Sequence, residues 1–376
     1  MRILQISPHF HPFVGGQERY VRCLGEALVD RGHEVAVFTS NFPGSKKHEV
    51  IDGMEVYRFD TLLKPLGNPV TPGMVSFMIK KCGEFDVTHV HNEHSFVSNL
   101  CTLVKPYAKM PLVVSCHGQL NFDRSVKDLI ERFYSKTLGT LVFKQADRII
   151  AISNSDKQYI SSLGVSPNKI SVIPNGIDLS KHHNPMPIGS TEFDFEGKKV
   201  VLFVGPIIRR KGPHILIQSI LRIVKDFPNV VFLFVGGGDF KKEAEKMAQN
   251  FHIEKYTHFT GPISSLKLAQ AYQRSDIFVL PSFSEALSYS ILDAYAFSKP
   301  VVSTLTPCVS EYLNDTALLV PTGDVGALAS AVKLLLMDEK LAKKFGDKGK
   351  KLVETCFTWE AVVKKILEIY DEVANG

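Results

Sequence analysis

The chain has 376 residues, of which 44% are hydrophobic and 22% are charged, as is typical of soluble globular proteins. This length is enough for two domains that each have a hydrophobic core. The net charge of +5 comes from 44 basic and 39 acidic residues spread along the chain. This spread argues against a dedicated nucleic-acid-binding face but leaves room for a local basic patch near anionic lipid.

The six cysteines form no C-x-x-C pair and no cluster with zinc spacing. They are predicted to be buried free thiols in a reducing cytosol. The N-terminus enters a predicted strand without a signal-peptide pattern, and no apolar run reaches about 18 residues, the length of a spanning helix. We therefore expect a cytoplasmic protein, with peripheral contact at the cytoplasmic membrane face as a further expectation.

The first half of the chain alternates short β-branched runs with amphipathic helical runs. This alternation predicts parallel sheets covered by helices on both faces. The predicted strands cover residues 2–6, 34–39, 55–58, 87–90, 112–115, 148–152 and 170–173. The predicted helices cover Glu18–Arg31, Phe96–Lys105, Val126–Lys144 and Asp156–Leu163. Residues 179–197 have two prolines, two glycines and little periodicity, which predicts an interdomain linker.

The second half restarts the same alternation. The predicted strands cover residues 200–204, 230–235, 257–260, 277–280, 301–304 and 318–320. The predicted helices cover residues 213–225, 241–250, 264–274, 290–297 and 325–337. Two helices close the chain, the last from Trp359 to Ala374. The expected fold class is therefore α/β, with two Rossmann-like doubly wound domains at residues 1–178 and 198–358.

The most informative segment, residues 281–296 (PSFSEALSYSILDAYA), follows the predicted strand 277–280. Glu285 lies on a small-residue turn, and Asp293 follows eight residues later on a predicted helix. A strand, a tight turn and a helix N-terminus form an anion site, because backbone N–H groups and the helix dipole point outward there. Carboxylates beside an anion site suit ligand hydroxyl groups. The segment therefore predicts a sugar phosphate or nucleotide sugar as ligand.

Three adjacent cations, Arg209, Arg210 and Lys211, lie in residues 205–212 (GPIIRRKG), between a predicted strand and a predicted helix. Cations at this position suit a diphosphate, because charge-assisted hydrogen bonds to phosphate are strong. The alternative is a solvated basic turn without a ligand.

Three features of the first half also follow predicted strands. Gly15-Gly16 precede the first helix, and paired glycines let the backbone approach a bound group; the alternative is a simple turn. His117 follows the strand 112–115 and precedes Gly118, at the kind of strand end where α/β sheets bind ligands. His91-Asn92 end another strand and either line a ligand site or are structural.

A nicotinamide-dependent oxidoreductase is disfavoured. Such an enzyme needs G-x-G-x-x-G directly after the first strand, whereas residues 8–16 form a long loop with a different glycine spacing. The triplet Gly236-Gly237-Gly238 follows a strand, but three glycines alone do not define a dinucleotide site.

These segments, in this order, resemble retaining glycosyltransferase family 4, whose members have the GT-B fold. The Pro-Ser…Glu-x7-Glu pattern of that family is matched by residues 281–293. The resemblance covers nearly the whole chain and is supported by further collinear segments, namely residues 86–92 (DVTHVHN), 115–118 (SCHG), 146–153 (ADRIIAIS), 173–178 (IPNGID), 235–239 (VGGGD), 300–302 (PVV) and Glu311.

The resemblance implies two Rossmann-like domains with a cleft between them. The first would bind the acceptor and the second a nucleotide-sugar donor, and the helix at 359–374 would pack back onto the first domain. The implied activity is hexosyl transfer with retention of anomeric configuration, in polysaccharide or glycolipid biosynthesis. The implied partners are a UDP-, GDP- or ADP-sugar and a glycan, lipid-linked or small-molecule acceptor, with no nucleic acid.

For the donor, the resemblance implies that Lys211, with Arg209 or Arg210, binds the diphosphate. Asp293 occupies the position of the family's ribose-binding glutamate, and Ser288 lies in the donor-binding loop. Asp293 is shorter than glutamate by one methylene, and Ser288 replaces a usual glycine.

For the reaction, the resemblance implies that Glu285 accepts hydrogen bonds from donor-sugar hydroxyls and that His117 lies near the reacting face of the sugar. It places the donor-binding pair Gly15-Gly16 in the cleft loop, which faces the donor phosphate and the acceptor, and His91-Asn92 are candidates for the acceptor side. Two further departures are Pro206, where the family usually has arginine, and Ala286, where it usually has glycine. No side chain is assigned as catalytic base.

No D-x-D motif and no pair of acids typical of glycosidases is present. We therefore expect no metal and no other cofactor, with positive side chains stabilising the leaving diphosphate. Three alternatives stay open: a nucleotide-sugar epimerase of the same fold, a non-catalytic carbohydrate- or nucleotide-binding relative, and an enzyme that uses a sugar phosphate or disaccharide acceptor.

Two segments of the first domain mix apolar and basic residues, Leu62–Leu66 (LLKPL) and Met74–Lys81 (MVSFMIKK). A basic and apolar face can lie on anionic lipid, which motivates the expected membrane contact. The alternative is an ordinary loop followed by a core helix.

Overall fold

The structure is a computed structural model that describes residues 1–108, 110–118, 133–179, 193 and 195–376. The chain forms two compact units, one of Met1–Gly176 with Trp359–Gly376 and one of Ile177–Thr358. Most of the predicted linker 179–197 and the first part of the predicted helix 126–144 lie outside the described residues. Phe193, within the predicted linker, is fully buried in the hydrophobic core of the second unit.

The first unit contains a sheet with the strand order β3-β4-β2-β1-β5-β6-β7-β8. The strands are β1 (Arg2–Ile6), β2 (Glu34–Ser40), β3 (His48–Ile51), β4 (Met54–Phe59), β5 (Val87–His91), β6 (Leu112–Cys116), β7 (Arg148–Ala151) and β8 (Ile170–Val172). Neighbouring strands are parallel except for β3, which pairs antiparallel with β4. The chain reverses its direction of travel across the sheet between β1 and β5, which is the switch point where doubly wound sheets bind ligands.

The described helices of the first unit are α1 (Gly16–Val29), α2 (Gly73–Lys81), α3 (Phe96–Ala108), α4 (Thr140–Gln145), α5 (Asn154–Ser162) and the final α13 (Trp359–Asn375). In the described part of the predicted helix 126–144, a π-helical turn at Ser135–Gly139 leads into the α-helix α4. The N-terminus of α5 is capped because the Ser153 hydroxyl accepts the Asp156 N–H. In α13, Tyr370 is fully buried.

The second unit contains a parallel sheet with the strand order β11-β10-β9-β12-β13-β14. The strands are β9 (Lys199–Val204), β10 (Val230–Val235), β11 (Thr257–Gly261), β12 (Ile277–Leu280), β13 (Val301–Thr304) and β14 (Ala317–Val320). Strands β9, β10, β12 and β13 are almost completely buried, as the continuous apolar runs predict for a sheet covered on both faces. The switch point lies between β9 and β12, which are hydrogen-bonded neighbours.

The described helices of the second unit are α6 (Pro213–Ile223), α7 (Lys241–Asn250), α8 (Ser265–Arg274), α9 (Tyr289–Ala296), α10 (Pro307–Leu313), α11 (Val325–Met337) and α12 (Glu339–Cys356). Both units are thus Rossmann-like α/β domains, which confirms the predicted fold class. In the described part of the chain, no helix is both long and apolar enough to cross a bilayer.

Candidate active site

Two loops meet at the switch point of the second unit. The basic turn, residues 205–212, follows β9, and the acidic loop, residues 281–288, follows β12. Because β9 and β12 are neighbouring parallel strands, their carboxyl ends bring both loops to the same edge of the sheet. The sequence places these loops about seventy residues apart, and the sheet order brings them together.

Three direct contacts join the basic turn to the acidic loop. The Phe283 N–H donates to the Arg210 carbonyl at 2.8 Å, and the Arg210 guanidinium donates to the Ser284 carbonyl at 2.8 Å. The Lys211 Nζ donates to the Glu285 Oε2 in an ion pair. The Lys211 and Glu285 side chains are only 10% and 8% exposed. The site therefore presents a buried cation and a buried carboxylate side by side.

Glu285 is oriented by further contacts. The Ser282 hydroxyl donates to the same Oε2 at 2.9 Å, and the Thr306 hydroxyl donates to the Glu285 carbonyl at 3.4 Å. A buried ion pair has a desolvation cost that additional hydrogen bonds offset. These contacts hold one carboxylate oxygen in a fixed position, as a residue that binds ligand hydroxyls requires.

Glycines allow the close approach of the loops. Gly212 has φ +71°, and a Cβ at this position would lie closer to the Pro281 carbonyl oxygen than any real Cβ contact. Gly236, in the predicted glycine triplet, has φ +137°, and a Cβ there would overlap the Gly205 carbonyl. The triplet therefore lies against the basic turn, and the lack of a side chain at Gly236 allows this close packing.

The two arginines of the basic turn have different surroundings. Arg209 donates to Glu243 of α7 at 2.6 Å, and its guanidinium lies 4.8 Å from the centre of the Phe240 ring. Arg210, in contrast, is bound to the acidic loop through Ser284. Of the two arginines, Arg210 is therefore the one that the structure places with Lys211 and Glu285.

Ser288 is the last residue of the acidic loop, and Asp293 lies in the helix that follows it. Ser288 precedes α9, and its carbonyl accepts the Ile291 and Leu292 N–H groups at 3.1 and 3.2 Å. Its hydroxyl lies 2.9 Å from that of Ser290. Asp293 lies inside α9 and is only 5% exposed. The prediction that Asp293 binds ribose stays a prediction.

In the first unit, Gly15-Gly16 lie at the corresponding switch point. Gly15 is the N-cap of α1. The Gln17 side-chain amide donates to the Ser7 hydroxyl at 3.1 Å and to the His91 carbonyl at 3.3 Å. The start of α1 is thus fixed to the chain just beyond β1 and to the last residue of β5. The glycine pair therefore lies where the sheet order predicts a ligand-binding loop.

Glu18 is a buried acid beside Gly15 that was not singled out from the sequence. Its carboxylate lies over Gly15, where any Cβ would overlap its Oε2. Glu18 is 8% exposed, and burial raises the pKa of its carboxyl to about 7. An acid in the first helical turn after a glycine pair is the sequence signal that could have indicated it.

His117 follows β6 and contacts two aromatic side chains. Its Nε2 lies 3.2 Å from Nδ1 of His91, and the Tyr20 ring stands edge-on with its centre 4.8 Å away. Burial lowers the pKa of His117 to about 4, against an opposing effect of the Glu93 carboxylate. His117 is therefore a neutral imidazole at neutral pH.

His91 and Asn92 have partners inside the first unit. Besides His117, the His91 ring contacts Oε1 of Gln5 at 3.1 Å through its Nε2, and the residue is fully buried. Asn92 has φ +73°, and its side-chain oxygen accepts the His94 N–H at 2.9 Å. The structure thus gives His91 a contact to His117 and gives Asn92 a turn that leads towards α3.

Two Rossmann-like domains with polar ligand-type residues at both switch points are the architecture expected of a GT-B glycosyltransferase. Residues 191–352 match the family described as Glycosyl transferases group 1, and residues 14–181 match Glycosyltransferase Family 4. Together the two matches cover well over half of the chain. The chain belongs to this family of group 1 and family 4 glycosyltransferases, as the sequence resemblance predicted, and it is an enzyme of the glycosyltransferase class.

Individual relatives are similar over their full length. An uncharacterised glycosyltransferase of Methanocaldococcus jannaschii is 24% identical over 100% of this chain and 99% of its own. A phosphatidyl-myo-inositol mannosyltransferase of Mycolicibacterium smegmatis is 26% identical over 100% and 95%. The crystal structure of Anabaena HepE in complex with UDP and glucose has a TM-score of 0.81 at 18% identity, with 99% of both chains covered. This likeness supports the GT-B fold.

Proposed function

We propose that this enzyme transfers a hexosyl group from a nucleotide-sugar donor to a hydroxyl acceptor, with retention of anomeric configuration. The observation that carries the proposal is the Lys211–Glu285 pair at the switch point of the second unit. A cation suits the donor diphosphate, and an adjacent carboxylate suits the sugar hydroxyls. One site thus offers both chemical groups that a nucleotide sugar needs.

The reaction needs charge stabilisation on the leaving group. As the bond from the anomeric carbon to the diphosphate oxygen breaks, negative charge develops on that oxygen, and Lys211 and Arg210 are the cations available to stabilise it. The acceptor oxygen forms the new bond to the anomeric carbon on the same face, and the leaving phosphate takes the acceptor proton. No metal and no further cofactor takes part in this scheme.

Relatives support the substrate classes. HepE, described with UDP and glucose, supports a UDP-sugar among the three candidate donors. The mycobacterial relative is named for mannosyl transfer to phosphatidyl-myo-inositol, which supports a lipid-linked acceptor. We assign donor binding to the second unit and acceptor binding to the first.

A thermal-shift screen of UDP-, GDP- and ADP-sugars tests the donor proposal. A ligand at about 100 times its dissociation constant stabilises the folded state by about 2.7 kcal/mol, so the preferred nucleotide raises the melting temperature. The Lys211→Ala variant is the matched control, since the same nucleotide should shift its melting temperature less. Equal shifts in parent and variant would place the donor elsewhere, and no shift with any nucleotide would favour the non-catalytic alternative.

We also propose peripheral membrane contact by the first unit. Leu62 is 73% exposed, Ile79 is 54% exposed, and Leu63 is also exposed, close in sequence to Lys64 and Lys80. Exposed apolar side chains next to lysines suit an anionic lipid surface. The other face of α2 is core, because Met74 and Met78 are fully buried, so only part of the predicted segment is available to lipid.

A further inference from the structure

Three polar side chains form a hydrogen-bonded chain that ends at His117. Gln5 lies on β1, His91 ends β5, and His117 follows β6, so the chain crosses three neighbouring strands. Gln5 Oε1 lies 3.1 Å from His91 Nε2, and His91 Nδ1 lies 3.2 Å from His117 Nε2. Gln5 and His91 are fully buried. We propose that Gln5, acting through His91, fixes the ring tautomer of His117 so that its Nδ1 accepts a hydrogen bond from a sugar hydroxyl.

The His91 and His117 rings are both buried in an environment that disfavours a positive charge. Burial lowers the pKa of His117 to about 4 and holds the pKa of His91 well below its ordinary value. Both rings are therefore neutral at neutral pH, and a neutral imidazole has one N–H donor and one acceptor nitrogen. Since each ring bonds through a stated nitrogen, the proton positions along the chain are coupled.

The orientation of the Gln5 amide then decides every proton position. With the amide oxygen facing His91, His91 carries its proton on Nε2 and accepts through Nδ1. His117 must then donate from Nε2, and its Nδ1 holds a lone pair. If the amide nitrogen faced His91, each proton would move, and His117 Nδ1 would carry the N–H. The two orientations therefore predict opposite hydrogen-bonding behaviour of His117 towards a ligand.

The surroundings of Gln5 favour the oxygen-inward orientation. A Cβ added at Gly25 would lie 3.0 Å from the Gln5 amide nitrogen and would also contact the Met54 sulfur, so both groups border the same space. A thioether sulfur has lone pairs and no proton, and it can only accept. The Gln5 amide nitrogen makes no hydrogen bond to a described residue on this side, but an amide oxygen placed there would meet a sulfur with lone pairs instead of a donor.

Burial of the Gln5 amide also lowers the free energy of unfolding. Among the described residues its buried amide nitrogen has no hydrogen-bond partner, and such a group lowers stability relative to an apolar side chain. A buried residue that lowers stability needs another use, and orienting His117 provides one. Gln5 and His91 are thus positioning residues, while His117 is the residue that meets the ligand.

This inference deepens the proposed function and rests on it for the identity of the ligand, but its structural part can be tested without any ligand. The experiment is two-dimensional proton–nitrogen NMR of the full chain labelled with ¹⁵N-histidine, in which ring nitrogen shifts report the tautomer. A His117→Gln sample assigns the signals. We expect His117 to be protonated on Nε2 and unprotonated on Nδ1 at pH 7. Protonation on Nδ1 would overturn the proposal, and this measurement needs no Gln5 variant to fold.

A second measurement tests the role of Gln5. Gln5→Met has nearly the same shape without hydrogen-bonding atoms, and we expect the Nδ1-protonated form of His117 to become populated. Thr88→Val is the matched control, because Thr88 is buried on β5 but takes no part in the hydrogen bonds that join Gln5, His91 and His117. This variant should keep the parent spectrum. An unchanged His117 spectrum in Gln5→Met would show that Gln5 does not set the tautomer.

Kinetics connect the tautomer to the ligand. With a competent donor, Gln5→Met should lower kcat/KM about three- to tenfold, as expected for one weakened neutral hydrogen bond, and mainly through KM. If the NMR result holds but kcat/KM equals that of the parent, His117 Nδ1 does not meet a ligand hydroxyl and the functional half of the proposal is wrong. Absence of transfer in the parent would instead contradict the proposed function and leave the NMR result as it stands.

Discussion

Lys211 and Glu285, from loops after two neighbouring strands, form an ion pair in which both side chains are about nine-tenths buried. Breaking a buried pair by removing one partner leaves a charge without compensation, which is more costly than losing the pair's net contribution. A donor diphosphate would give Lys211 a second anionic partner, and sugar hydroxyls would give Glu285 new donors. The pair is therefore the most informative place for mutation.

Glu285→Gln should reduce transfer at least about a hundredfold while the protein stays folded, because the neutral amide loses the charge-assisted bonds of the carboxylate. Turnover of the purified variant and its far-UV circular dichroism measure both parts. Glu254→Gln, at an exposed position of the same unit, is the control and should retain parental turnover. Near-parental turnover of Glu285→Gln would remove this residue from the active site.

The three cations of the basic turn should contribute unequally to nucleotide binding. Lys211→Ala and Arg210→Ala should each weaken nucleoside-diphosphate binding by roughly 1.5–3 kcal/mol, about ten- to a hundredfold. Arg209→Ala should bind as the parent does, because that guanidinium is paired with Glu243. Titration calorimetry with the preferred nucleotide distinguishes them. Parental affinity in all three variants would show that the diphosphate binds elsewhere.

The sequence predicted the secondary structure of the second unit closely because its apolar runs are long and regular. The predicted and observed bounds agree for α7 and α11. The sequence analysis missed β3, a four-residue edge strand of half-exposed residues, and α10, a helix of only seven residues. Both are too short for a clear periodicity, so tertiary contacts decide their structure.

The site was predicted less completely than the fold. Lys211 and Glu285 were each recognised from their local segments, but their pairing depends on β9 lying beside β12. The hydrogen bonds that join the Gln5, His91 and His117 side chains depend in the same way on the order of β1, β5 and β6. Glu18 was missed because the raised pKa of its carboxyl comes from burial, and burial is a property of the tertiary structure. Contacts between residues far apart in sequence need the sheet order before they can be predicted.

Transfer should proceed in EDTA at the parental rate. The expectation follows from the proposal that Lys211 and Arg210, and no metal ion, stabilise the leaving diphosphate. Activity is measured after dialysis against chelator, with and without added Mg²⁺ or Mn²⁺, and a metal-dependent glycosyltransferase treated in parallel is the positive control. Loss of activity in chelator with recovery on addition of either ion would require a metal in the reaction.

The first unit should bind vesicles that contain anionic lipid at low salt. Replacing both Leu62 and Leu63 by serine removes exposed apolar area and should lower the bound fraction in a sedimentation assay. Leu334→Ser, an exposed leucine of the second unit, is the control and should bind like the parent. Equal binding by all three proteins, or no binding by the parent, would argue against lipid contact through these residues.

Glu18 should make stability depend on pH in a direction opposite to that of an ordinary salt-bridged acid. Its pKa is raised from an ordinary value of 4.5 to about 7 in the folded state, chiefly by burial. Between these pH values the folded protein holds a proton that the unfolded chain has released, so the contribution of Glu18 to stability is greatest below about pH 4.5 and falls as pH rises through 7. Once Glu18 is ionised in both states, the free energy of unfolding has fallen by on the order of 3 kcal/mol.

Glu18→Gln isolates this contribution, because glutamine stays neutral at every pH and resembles the protonated acid. Urea unfolding of parent and variant at pH 5, 6, 7 and 8 should show the variant gaining stability over the parent as pH rises. Glu34→Gln, at an exposed position on β2, is the control and should show a small and nearly constant difference. A stability difference between Glu18→Gln and the parent that is the same at pH 5 and pH 8 would mean that the Glu18 carboxyl is ionised in both states. The buried acid beside Gly15 would then act as a charged residue at the start of α1 and not as a protonated one.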